Sequence, residues 1–261
     1  MSDNPLMEKI RIPGGTYRLP SRGLFYTPGV ELDESVESGE LVINPMRTTE
    51  ELLLNNTDKL FTGDAAVEVF KYCIPAIKDT RELLSKDVDY LLMCLRIVSY
   101  GPTMELSYTH TCEDAEQHDY NINLEELMGN VKEIDPTTLD QKFRMQLPNG
   151  QVLKLRPPRY DRVIKLYQSF GNFEEDISDE VMKENIIANL TDMIERVDDV
   201  NDPEHISEWL DNLPAGFVAN INNFVEACSD WGMEYTTKIT CQDCGEEIEI
   251  NVPSNPISFF T

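Results

Sequence analysis

The segment Cys241-Gln242-Asp243-Cys244-Gly245 constrains this chain more than any other. Two thiolates separated by two residues reach one metal ion from a single tight turn, and the glycine that follows lets the backbone reverse without a Cβ penalty. The flanking stretches, Tyr235 to Cys241 and Ile248 to Val252, alternate as strands do, so the segment has the form of half a zinc ribbon. A structural zinc needs four ligands, and the chain offers four further cysteines and three histidines. A faint internal echo supplies a third ligand. Thr111-Cys112-Glu113-Asp114 followed by Tyr120-Asn121-Ile122-Asn123-Leu124 parallels Thr240-Cys241-Gln242-Asp243 followed by Ile248-Glu249-Ile250-Asn251-Val252, with Ala115 where the second copy has Cys244. If the two turns face each other, Cys112, Cys241 and Cys244 give three sulfurs. His118, six residues past Cys112, or His110 then gives the fourth donor. The alternative is that Cys112 is the orphan of a lost site and the C-terminal turn holds no metal. A bound zinc would be structural, because strands and acids flank the dithiol instead of the helix start that activates a redox thiol.

The remaining cysteines, Cys73, Cys94 and Cys228, sit in apolar helical contexts and read as buried free thiols in a reducing compartment. Forty-eight acidic against 22 basic residues leave a formal net charge of −26. A surface so charged repels nucleic acid and anionic membrane and favours basic protein partners. The first residues lack the basic flank and apolar stretch of a secretory signal. The most apolar window, Val88 to Val98, is too short to span a bilayer and contains Arg96. A soluble intracellular protein is the expectation.

The patterning predicts an α+β fold. Residues 1–102 form an N-terminal β and turn segment followed by a helical region. Leu41-Val42-Ile43 reads as a strand, Asp64 as the cap of a helix running to Cys73, and Asp87 as the cap of a helix that ends at Gly101. That helix carries apolar residues on every face and reads as central and buried. Residues 103–158 alternate as antiparallel β hairpins, one turning at Asn149-Gly150, where both turn residues are expected to need positive φ. Residues 159–232 are helical. Tyr160 to Phe170 forms one helix, and Ser178 caps another whose stripe runs from Ile186 to Val197. Asp202-Pro203 opens a third, and Pro214 starts the last. Residues 233–261 carry the zinc-ribbon-like β turn and pack back on the 103–158 hairpins.

No catalytic constellation stands out. None of the three histidines adjoins a serine or cysteine in a nucleophile context, and Gly14-Gly15 lacks the Gly-Lys-Ser/Thr ending of a phosphate loop. The expectation is a protein that is not an enzyme and has no small-molecule substrate. Charge clustering points instead to protein contact. Glu174, Glu175, Asp176, Asp198 and Asp199 belong to a run of twelve acids countered only by Lys183 and Arg196, and half of these read as a plain solvated face. Lys142, Arg144, Lys154, Arg156, Arg159, Arg162 and Lys165 gather around the second hairpin as a second contact surface.

Several ordered segments resemble one known family. They are Leu19-Pro20-Ser21-Arg22-Gly23-Leu24-Phe25-Tyr26, Asn44-Pro45-Met46 leading to Thr49-Glu50-Glu51-Leu52-Leu53-Leu54, and Leu60-Phe61-Thr62-Gly63. Asp87-Val88-Asp89-Tyr90-Leu91-Leu92 runs through to Tyr100-Gly101, and Leu147-Pro148-Asn149-Gly150 is followed by Leu155-Arg156-Pro157-Pro158. Their order and spacing are similar to the baseplate proteins of T-even-type bacteriophages, which include hub subunits and hub assembly factors. The resemblance implies a late, non-enzymatic tail-morphogenesis protein whose partners are other hub or tape-measure proteins. It would be found in the host cytoplasm during assembly or in the virion baseplate. The competing expectation is a zinc-ribbon adaptor between proteins, unrelated to virion assembly.

Overall fold

The computed structural model describes residues 13–112, 116–170 and 179–252. Strand β1 (Gly15–Arg18) pairs antiparallel with β2 (Glu40–Ile43). Helices α1 (Thr48–Leu54), α2 (Thr57–Thr62) and α3 (Asp64–Cys73) follow, and α4 (Ser85–Tyr100) runs through the centre. Strands β3 (Thr103–Thr109) and β4 (Gln117–Asn123) pair antiparallel, with Tyr108 opposite His118. Next come α5 (Leu124–Gly129), α6 (Leu139–Lys142), β5 (Arg144–Gln146), β6 (Val152–Leu155), α7 (Tyr160–Phe170) and α8 (Asp179–Met193). Strand β7 (Ile194–Val197), α9 (Pro203–Asp211), α10 (Ala215–Ala227) and the hairpin β8 (Thr236–Thr240) and β9 (Glu247–Asn251) complete the α+β fold.

Two hydrophobic cores organise these elements. The first surrounds α4, whose Val88, Leu91, Leu92, Met93, Cys94 and Leu95 are all buried. Apolar residues on every face leave this helix no stable place except the middle. Each such leucine contributes about 1.5–3 kcal/mol through burial. Phe70 and Val69 of α3, Met104 and Ile122 of the β3–β4 hairpin, Ile239 and Ile250 of the β8–β9 hairpin, and Tyr160 of α7 close around it. The second core joins Leu153 and Leu155 of β6, Leu190 of α8, Ile194 and Val197 of β7, Ile206 and Leu210 of α9 and Ile221 of α10. A small cluster of Leu84, Ile134, Phe143, Cys228 and Trp231 lies between them, with Phe25 meeting Phe143 edge to face at 5.3 Å.

This grouping differs from the boundaries drawn from sequence. The 103–158 stretch is divided between cores: β3–β4 belongs to the first, whereas β5 and β6 belong to the second. The C-terminal hairpin shares the first core with β3–β4. The second lobe is therefore an excursion from the first, and its ends meet. Lys132 N–H donates to Gly232 O at 3.0 Å, and Gly232 N–H returns a bond to Lys132 O at 2.8 Å.

Three local expectations are corrected. The stripe from Ile186 to Val197 is not one helix: α8 ends at Met193 and residues 194–197 pair with β6 as a third strand. β-branched Ile194 and Val197 suit a strand as well as a helix face, and the open edge of β6 decides between them. Asp87 does not cap α4. It lies in the first turn after the cap residue Leu84, and its carboxylate reaches Ser21 instead. In the Leu147–Gly150 turn only Gly150 takes positive φ (92°). Pro148 fixes a negative φ, so Gly150 N–H bonds back to Leu147 O across a turn filled by Pro148 and Asn149.

Candidate metal centre

The ligand-bearing ends of the two hairpins meet beside the first core. The β3 strand delivers His110 and Cys112 just past its last residue, and β8 delivers Cys241 and Cys244. The second knuckle is closed by Gly245 N–H to Cys241 O at 2.9 Å and by Cys241 N–H to Glu246 O at 2.8 Å. Gly245 takes φ 75° to make that turn.

His110, Cys112, Cys241 and Cys244 bring one donor atom each to within 4.8 Å of one another. Cys112 Sγ and Cys241 Sγ are 4.0 Å apart, and Cys244 Sγ is 3.6 Å from His110 Nδ1. A tetrahedral zinc with ordinary bond lengths has sulfur–sulfur edges of about 3.8 Å and sulfur–nitrogen edges of about 3.6 Å. The residues present therefore fit the metal in number, chemistry and spacing, and all six cysteines are free thiols. The cluster is also short of positive charge. The Cys241 thiol is drawn down to about 6, first by the Cys244 N–H and then, against desolvation, by the Asp243 N–H and His110. Cys112 is pushed up to about 11 by desolvation and by its thiol neighbours. Crowded thiols resist joint ionisation unless a cation lies among them, so a dication would relieve the conflict.

Of the two histidines weighed for the fourth position, the structure brings His110 to the sulfurs. His118 lies inside β4, and its Nε2 is 2.7 Å from Asp243 Oδ1. That hydrogen bond raises the imidazole pKa and holds the Asp243 carboxyl below its usual range. Ala115 lies outside the described residues. The roles of Gln242 and Asp243 had no sequence signal beyond their place between the two cysteines.

The partner-contact residues fare differently. Glu174, Glu175 and Asp176 lie outside the described residues. Asp198 and Asp199 are exposed, but Asp198 Oδ1 also accepts from Val152 N–H at 2.9 Å and terminates β7. Arg156 and Arg159 serve the chain itself. Arg159 forks between Asp192 and Glu82, and Arg156 Nε donates to Asp192 O at 3.1 Å. Lys142, Lys154 and Lys165 likewise pair with Asp230, Glu195 and Asp161. The basic cluster is thus largely paired within the excursion itself, and Arg159–Glu82 ties it to the first lobe.

The sequence model of a protein family described as T4 bacteriophage base plate protein matches residues 27–261, nearly the whole chain and both knuckles. The chain belongs to this family. The base plate protein matches no curated protein and no solved structure. Its setting is thus the tail baseplate of a bacteriophage, among other baseplate proteins. Among the described residues of this base plate protein, no helix is long and apolar enough to cross a membrane.

Proposed function

We propose that this base plate protein builds the tail hub without catalysing a reaction, as a hub assembly factor that engages basic surfaces of hub or tape-measure proteins. The observation that carries this reading is where the charge goes. Five of the seven cations around the second hairpin are paired with carboxylates of the same chain, while the net charge stays at −26. The surface left for partners is therefore acidic, which suits rapid, reversible capture of a basic client more than permanent burial in a packed assembly. Two of the three histidines are engaged at the knuckles, which leaves little for acid–base chemistry. His110, Cys112, Cys241 and Cys244 would hold a structural zinc that ties the C-terminal hairpin to the first one.

Mass spectrometry of purified virions beside infected-cell lysate tests the role. Abundance in lysate with absence from virions is the expected result. Stoichiometric presence in virions would overturn it in favour of a retained hub subunit. Binding to the hub client should weaken steeply between 50 mM and 500 mM salt, and unchanged affinity would exclude an electrostatic docking face.

A further inference from the structure

We propose that Asp243 and His118 form a brace that presets the metal ligands before any metal arrives, making both of them positioning residues for the centre. The inference rests on the zinc reading above and extends it to residues that touch no metal. The two residues between Cys241 and Cys244 grip the neighbouring strand with their side chains and, at Gln242, its backbone N–H. Asp243 uses both carboxylate oxygens: Oδ2 accepts from Glu116 N–H at 3.2 Å, and Oδ1 meets His118 Nε2 at 2.7 Å. Gln242 N–H donates to Tyr120 Oη at 3.3 Å, and its Nε2 donates to Asp119 O at 3.3 Å. His118, Asp119 and Tyr120 belong to β4 and Glu116 immediately precedes it, and Tyr120 is rooted in the first core.

The second knuckle is therefore fastened to the first hairpin by four contacts, none of which involves a ligand side chain. The side chains of His118 and Asp243 keep only 23% and 19% of their surface exposed, so their bond is sheltered without being deeply buried. Such a pair contributes little to global stability. Its effect is geometric: it sets how closely Cys241 and Cys244 approach His110 and Cys112. A metal that meets ligands already gathered does not have to order them, and that difference enters its affinity directly. Outer groups of this kind typically change metal affinity by about 10–100-fold when removed.

The test uses the full chain, purified without metal, and zinc titrated in competition with a chromophoric chelator. Wild type should bind one zinc per chain. Asp243→Ala and His118→Ala should each bind about 10–100-fold more weakly, while their metal-free melting temperatures stay within a few degrees of wild type. His118→Gln, whose amide can still donate to Asp243, should recover most of the affinity. The cobalt-substituted variants should keep the wild-type absorption, because all four ligands remain. Equal zinc affinity in wild type and Asp243→Ala would overturn the brace while leaving the zinc reading intact. Failure of the wild type to bind zinc would overturn both. Should Asp243→Ala not fold, Asp243→Asn carries the same comparison.

Discussion

Replacing Asp87 by asparagine should give a stability change that depends on pH in a direction opposite to that of most carboxylates. Asp87 is fully enclosed, and its carboxylate accepts from Ser21 N–H at 3.1 Å, from Ser21 Oγ–H and from Tyr26 O–H at 2.6 Å. Tyr26 Oη in turn accepts from Leu84 N–H at 2.8 Å. Burial pushes the carboxyl up to about 6, and the three hydrogen bonds only partly oppose it. A carboxyl with its folded pKa above the unfolded value of about 3.8 binds its proton more tightly in the folded state. Its contribution is fully present below 3.8 and is lost as pH rises through 6. Between pH 5 and pH 7.5 the loss is about 1.4 kcal/mol. The lower limit keeps the protein above its isoelectric point near 4.3. Urea unfolding of wild type and Asp87→Asn at both pH values isolates this group, because the other carboxylates cancel in the difference. The stability advantage of wild type should shrink by about 1.4 kcal/mol from pH 5 to pH 7.5. A difference that stays constant, or grows with pH, would refute the argument that burial governs this carboxyl. Asp87→Ala should be worse than Asp87→Asn at either pH, because buried donors left without an acceptor cost about 1–3 kcal/mol each.

Other outcomes follow from the same geometry. Cys241→Ser should abolish stoichiometric zinc in metal analysis. Chelation of wild type should lower its stability by about 4 kcal/mol relative to free zinc at a thousand times Kd, read as a shift in Tm. Phe70→Ala should cost about 3–5 kcal/mol in urea unfolding, since Phe70 is wholly enclosed in the first core. Arg159→Met should cost about 1–3 kcal/mol, less than a deeply buried pair because a quarter of the arginine side chain is exposed. Limited proteolysis of that variant should cut first within the second lobe.

Much of this fold was legible because local chemistry left few options. A helix apolar on all sides had to be central, and Asp202-Pro203 had to open a helix: Asp202 Oδ1 accepts from Glu204 and His205 N–H. What sequence could not supply was the choice among partners far apart in the chain. Nothing in Ile194 to Val197 announces the free edge of β6, and nothing in Asp87 announces Ser21, 66 residues earlier. Yet both of those residues lie in the segments that carry the family resemblance, and the structure explains the pairing: one segment supplies the buried acid and the other its donors. The metal ligands follow the same rule. Three cysteines were legible from the echo of the two turns, whereas the histidine depended on strand register. Once Tyr108 stands opposite His118, that histidine is held within the ladder and His110 falls at the knuckle.

The doubly bonded pair of Lys132 and Gly232 has a mechanical consequence. Tension applied between the described ends of the chain, residues 13 and 252, runs through the first lobe and reaches this pair before it reaches anything beyond. The hundred or so residues of the excursion lie in a loop closed by that pair, reinforced by the Lys132–Glu234 ion pair. Tyr160 in the first core and the Arg159–Glu82 ion pair also tie that loop to the first lobe, so these contacts share the load with the pair. A pull on residues 13 and 252 therefore strains the first lobe and its seam with the loop before the second core.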